Sequence, residues 1–204
     1  MCGTVEKYPI SLSSLMARAN GDYGLLQNLL SSFSCLNDGD IQKFLTNRAM
    51  DFEKLSKSRT YLILDQKKFQ KPGVKINELT IYGYISLAIK NFTAPEGMSN
   101  RQRQQLDGFS AKEHGKIISN FPCYLIGQLA RNSNVPKDSL SGKELLAISY
   151  SLINEAIKLV GGRNILVECR NNKKLVAFYL DNDFSQVSQI PDENQEMVQL
   201  IRRI

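Results

Sequence analysis

Histidine occurs once in this sequence, and no Cys-x-x-Cys pair accompanies it. His114 lies in a polar stretch and cannot form a metal site unaided, so no metal cofactor is expected. The four cysteines, Cys2, Cys35, Cys123 and Cys169, are widely spaced and read as reduced thiols, the last three inside strand-like segments. No apolar run approaches the length that crosses a bilayer, and the opening MCGTVEKYPI lacks the apolar core of a secretion signal. A cytoplasmic protein without a membrane partner is expected. Internal repeats, low-complexity tracts, long blocks of like charge and basic–aromatic repeats are also missing.

What remains is an ordinary globular composition over 204 residues, enough for one well-buried domain. The net charge of +6 favours an anionic partner, and coenzyme A, a nucleic acid or an acidic protein would each qualify. The densest basic patch, Lys67, Lys68, Lys71 and Lys75, falls in an expected hairpin loop and reads as a solvated loop tip.

Residues 1–24 read as an N-terminal extension, with a short helix over Ser11–Ala19 stopped by Asn20-Gly21-Asp22. Leu25–Cys35 reads as a strand, with a helix as the alternative. Ile41, Phe44, Leu45, Ala49, Phe52 and Leu55 recur at helical spacing and predict one amphipathic helix over 40–57. Thr60–Asp65 is short and strongly β-forming, a strand inside a sheet. Alternation from Leu79 to Lys90 marks a long, antiparallel strand.

Residues 93–119, punctuated by Pro95, Gly97, Gly108 and Gly115, read as an insertion that carries a short polar helix over Asn100–Leu106. A strand over 123–131, a helix beginning at Lys143 and stopped by Gly161-Gly162, and a strand over Asn164–Arg170 follow. A short helix capped at Asn171-Asn172, a strand at Ser185–Gln189 and a terminal strand over Met197–Ile204 complete the chain. The sum is an α/β fold with a mixed, mostly antiparallel sheet and helices on both faces.

The chain is organised around Tyr124–Tyr179. There a strand ending Leu129-Ala130-Arg131 feeds the loop Lys137-Asp138-Ser139-Leu140-Ser141-Gly142 and a helix from Lys143. Such a turn offers unpaired N–H groups and a positive dipole end, a socket for phosphate or pyrophosphate. The plain alternative is a helix cap, with Ser139 or Ser141 as the capping residue.

The loop resembles the pyrophosphate loop of the GNAT N-acetyltransferases, Gln/Arg-x-x-Gly-x-Gly/Ala, with Lys137 first, Gly142 last and Leu140 at the middle glycine. Phe178-Tyr179 followed by Phe184 is similar to that family's Phe-Tyr-x-x-x-Gly-Phe, with Asp183 in place of glycine. Phe33-Ser34-Cys35, Asp40, Phe44-Leu45, Ala49, Arg59-Thr60-Tyr61 and Tyr82–Ala88 look like the opening of its tRNA-acetylating toxin branch. That branch ends its fourth strand Arg-Leu-Ala-Val, where this chain has Gln128-Leu129-Ala130-Arg131.

The resemblance spans about residues 30–204. It implies one GNAT acetyltransferase domain over 25–204, acetyl-CoA as co-substrate, and a primary amine as acceptor. An aminoacyl-tRNA, a small-molecule amine and a protein are the candidate acceptors, and a second copy of the chain is a candidate partner.

Acetyl transfer would need a diphosphate socket, met by the main chain across 137–143 with charge from Lys137 and Lys143. It would need a strand edge for the pantetheine amides, for which the resemblance implies the main chain of Leu129 and Arg131. It would need an oxyanion donor, an N–H near Leu129 or Ala130, worth roughly 3–4 kcal/mol. For the departing thiolate, Tyr179 is the candidate acid, since a phenol of pKa about 10 can protonate a thiolate whose conjugate acid lies near about 8.5. A core tyrosine packed on Leu175 and Val176 is the alternative.

The resemblance also implies that Asn172 binds the cofactor. No general base stands out, with Glu168 ahead of Asp65 and His114. An α-amine with pKa near 8 is roughly one-tenth neutral at pH 7, whereas a lysine is neutral in roughly one molecule per 2,500, so a missing base favours an α-amine. Cys169 has no histidine in sequence reach and is not expected to carry an acyl group. A catalytically inactive GNAT-like module binding CoA or RNA is the rival reading, motivated by Leu140, Asp183 and the altered strand ending.

Overall fold

The computed structural model describes residues 6–190 and 196–204. Seven strands form one mixed, mostly antiparallel sheet in the order β1-β2-β3-β6-β7-β9-β8. They are β1 Lys7–Ser11, β2 Arg59–Asp65, β3 Gly83–Thr93, β6 Asn120–Arg131, β7 Asn164–Arg170, β8 Ser185–Ile190 and β9 Met197–Arg203. The hairpin strands β4 Lys112–Glu113 and β5 Lys116–Ile117 stand apart from it. The chain divides into two compact units, Met1–Leu87 with Gln128–Leu152, and Ala88–Gly127 with Ile153–Ile204.

In the first unit, β1 pairs antiparallel with β2 and β2 with β3. Helix α1 (Leu12–Ala19) is capped by Ser11 and ends on left-handed Asn20. Leu12 and Leu15 are fully buried, so residues 7–19, expected as part of an extension, belong to this unit's sheet and core.

Tyr23–Ser31 is helix α2, where the sequence favoured a strand over 25–35. The segment contains no β-branched residue, Asp22 caps it, and Leu26, Leu29 and Leu30 fall on one buried face at helical spacing. The single helix expected over 40–57 is two, α3 (Gly39–Asn47) and α4 (Ala49–Lys54), divided at non-helical Arg48. The lysine-rich β2–β3 connection carries α5 (Gln66–Gln70), and Arg18 donates to the Phe69 and Val74 carbonyls at 2.6 and 2.7 Å.

In the second unit, the expected insertion folds into α6 (Asn100–Asp107) and the β4–β5 hairpin. A Ser99–Gln102 capping box starts α6, and left-handed Gly108 ends it. The hairpin turns through His114 and Gly115, both at positive φ, as a two-residue hairpin loop requires. Buried Arg103 donates to the carbonyls of Met98, Ile118 and Pro95 at 3.2, 2.7 and 3.2 Å. Met98 and Leu106 join Phe92, Phe121, Cys123, Leu166 and Ile201 in one buried cluster, so the segment contributes side chains to this unit's core.

β6 and β7 run parallel through the pairs Tyr124↔Ile165 and Leu125↔Leu166, and both strands continue past that ladder. Helix α7, Gly142–Val160, follows β6; α8, Lys173–Leu180, follows β7.

Gly83 begins β3 where a Cβ would lie 2.8 Å from the Ala130 carbonyl and 2.8 Å from Leu140 Cδ2. Gly83→Ala is therefore expected to destabilise the protein by about 1–3 kcal/mol in urea unfolding. A midpoint matching the unsubstituted protein would show that this contact relaxes freely.

Candidate functional site

The candidate residues form two groups, one in each unit. In the first unit, Leu129 packs partly buried against the cluster Ile63, Ile85, Leu140 and Leu145. Ala130 belongs to the cluster on α1, α2 and Tyr84. Arg131 ends the strand, and its guanidinium donates to the Lys137 carbonyl. That bond closes residues 131–137 into a loop and sets a cation against it, a role the sequence did not disclose for this side chain.

Asn132 is buried and fixes the same loop. Its Nδ2 donates to the Ile81 carbonyl at 2.7 Å, and its Oδ1 accepts from the Ser34 and Asn134 amides. A polar residue immediately after a strand reads as ordinary loop, so no sequence signal marks it.

Lys137–Ser139 is one 3-10 turn, and Leu140 is extended at φ −156. Extended backbone accommodates leucine as readily as glycine, and the Leu140 side chain is 1% exposed. Leu140, set at a glycine position only by the sequence resemblance, thus anchors the turn to the sheet.

Ser141 is the cap of α7. Its Oγ accepts from the Glu144 amide at 3.1 Å, and Glu144 Oε2 accepts from the Ser141 amide at 2.7 Å. The first intrahelical bond, Leu145 N–H to Ser141 C=O, spans 3.1 Å. The amides of Gly142 and Lys143 precede it and, among the described residues, have no partner, which leaves them for water or a ligand. They open a 19-residue helix whose positive dipole end lies there, beside the exposed lysines 137 and 143.

In the second unit, Asn172 caps α8 through Oδ1, which accepts from the Lys174 and Leu175 amides at 3.0 and 3.3 Å. Tyr179 is 5% exposed on the same helix, edge-to-face with Phe178 and Phe184 at ring distances of 5.2 and 5.3 Å. Asp183 has φ +67, the left-handed conformation that glycine adopts most freely. Aspartate therefore adopts the backbone shape that a glycine at this position would take.

Glu168, the first candidate base, is paired with Lys90 at 2.7 Å. Asp65 caps α5, and His114 is exposed in the β4–β5 turn. Burial pushes the Cys169 thiol up to about 11, which keeps it protonated near neutral pH. Among the described residues no group of three or more metal-ligating side chains gathers, and no helix is long and apolar enough to cross a membrane.

No protein-family model and no curated protein matches the chain. Solved structures do match in fold. A tyrosine-to-phenylalanine mutant of KacT aligns at 22% identity over 83% of this chain and 85% of that one, TM-score 0.59. AtaT complexed with acetyl-methionyl-tRNAfMet aligns at 18% identity over 83% and 85%, TM-score 0.57. AtaTR bound with AcCoA aligns at 22% identity over 83% and 84%, TM-score 0.55. These likenesses show a shared fold, and the mixed, mostly antiparallel α/β sheet is the one expected from the sequence.

The capping box lends itself to measurement. Ser141→Ala should cost about 1 kcal/mol in urea unfolding at neutral pH. The Ser141 hydroxyl and amide hold the Glu144 carboxyl below its usual range. Their stabilisation is thus complete above the ordinary carboxylate pKa and is lost as pH falls through the depressed folded value. The stability gap between Ser141→Ala and the unsubstituted protein should narrow in acid; a gap independent of pH would remove Glu144 from the cap.

Proposed function

We propose that the chain is an N-acetyltransferase that moves the acetyl group of acetyl-CoA directly to the primary amine of an aminoacyl-tRNA. One observation carries the reading. Arg131 locks the 131–137 turn, Leu140 anchors it, and the turn delivers the unspent Gly142 and Lys143 amides at the start of a long helix. This arrangement suits a diphosphate, with lysines 137 and 143 adding charge. Acetyl-CoA supplies an activated thioester carbonyl.

The remaining roles fall to this chain's own groups. The main chain of Leu129, Ala130 and Arg131 serves as the strand edge and the oxyanion donor, with Lys137, Asp138, Ser139, Leu140, Ser141, Gly142 and Lys143 as the phosphate turn. Asn172 sets the start of α8, and Tyr179 gives its proton to the departing thiolate. The phenol is restored through solvent by the proton that the nitrogen loses as the amide forms. Direct transfer is favoured over a thioester on the protein, because the buried Cys169 thiol stays protonated. The RNA acceptor is supported by the fold likeness to AtaT, whose solved complex holds acetyl-methionyl-tRNAfMet.

A second reading, a module without catalysis, is favoured by the Glu144 carboxylate resting on the Ser141 amide, where a phosphate oxygen would compete. Incubating the protein with labelled acetyl-CoA and cell extract, then identifying the labelled molecule by mass spectrometry, separates the two. Label on aminoacyl-tRNA is expected; label on no molecule would leave the module. Tyr179→Phe should lose turnover at least tenfold and keep acetyl-CoA affinity, and unchanged turnover would remove Tyr179 as the acid.

A further inference from the structure

Within the second unit, a row of polar side chains crosses one face of the sheet. Lys90 Nζ donates to both oxygens of Glu168 at 2.9 and 2.7 Å. Gln199 Nε2 donates to Glu168 Oε1 at 2.7 Å, and the Ser188 hydroxyl donates to Gln199 Oε1. Lys90, Glu168 and Gln199 each stand two residues from a member of the buried cluster, Phe92, Leu166 and Ile201. The row therefore borders that core on the same face.

The two partners of the Glu168 carboxylate among the described residues differ. One, on Oε1, is a neutral amide from Gln199, which is 9% exposed and is itself fixed by a hydroxyl. The other, on both oxygens, is a lysine ammonium whose side chain is 44% exposed, against 19% for Glu168. A half-solvated lysine pair contributes little and exchanges readily. The chain through Gln199 and Ser188 is more than such a pair needs, and it is what a prepositioned carboxylate requires.

We propose that Glu168 is the subsite for the ammonium group of the acceptor, and that Lys90 fills it in the free protein until the acceptor displaces it. The proposal rests on the acetyltransferase reading for its purpose. An α-amine reaches the protein at pH 7 roughly nine times in ten as the ammonium ion, a group of the same chemistry as the lysine tip already seated there. Glu168 is then a binding residue: the seated ammonium gives up one proton to solvent before its nitrogen attacks, and Lys90 tunes the acceptor's affinity by competing for the carboxylate.

The two partners must then respond in opposite directions. With aminoacylated bulk tRNA as acceptor, Glu168→Gln should raise KM at least tenfold with the acetyl-CoA Kd unchanged, whereas Lys90→Met should lower KM. A purely structural pair would make both variants worse together. Carboxyl-carbon NMR on the unsubstituted protein gives a readout independent of turnover. Methioninamide should shift the Glu168 signal, and N-acetylmethioninamide, which has no ammonium, should not. An unchanged KM in Glu168→Gln, a raised KM in Lys90→Met, or a Glu168 carbon unmoved by methioninamide would each overturn the subsite. If the unsubstituted protein acetylates no RNA, the acetyltransferase reading falls, and the methioninamide titration alone decides the subsite.

Discussion

The contact on which the turn before α7 depends is the approach of Leu140 to a strand that has no side chain at Gly83. Any Cβ there would press on both Leu140 and the Ala130 carbonyl. Glycine at the start of β3 therefore lets the end of β6 and the turn after it settle onto the sheet. Leu140 then fills a fully apolar cluster with Ile63, Ile85 and Leu145. Burying one such side chain is worth about 2 kcal/mol, enough to hold an otherwise polar turn in one conformation. Arg131 and Asn132 add polar restraints on either side of the same turn. The free amides of α7 are thus presented by a turn fixed at its apolar centre.

The charges around the turn have opposing effects. Arg131, Lys137 and Lys143 favour an anion, as does the dipole of α7. Glu144 opposes it, because its carboxylate already takes the Ser141 amide. The exchange of one carboxylate for one phosphate oxygen costs little when both accept from the same donor. The capping box therefore preserves the helix end in the free protein and can be released by a stronger acceptor. The proposed subsite gives Lys90 and Glu168 a similar logic elsewhere in the chain, as a paired charge whose partner the acceptor replaces.

Much of this was legible in the sequence, wherever periodicity and punctuation agreed. TYLILD, NILVECR and the apolar stripe from Leu145 to Val160 each formed the expected element, bounded within a few residues. Tyr23–Ser31 did not, because a leucine-rich run without β-branched residues reads equally as strand or helix until its cap at Asp22 is weighed. The break at Arg48 has no glycine or proline to announce it. The roles of Gly83, Asn132 and the Arg131 side chain depend on approach between distant segments, which spacing along the chain does not encode. Leu140 was conspicuous only as a departure from the family's glycine. Its burial in an apolar cluster appears only in three dimensions.

In the proposed function the main chain between Arg131 and Lys143 grips the diphosphate of the acyl carrier. Calorimetry comparing acetyl-CoA with S-acetylpantetheine, which lacks the diphosphate and nucleotide, tests it most directly. Acetyl-CoA should bind at least a hundredfold more tightly, with the advantage shrinking as salt is raised. Equal affinities, or no heat with either compound, would contradict it.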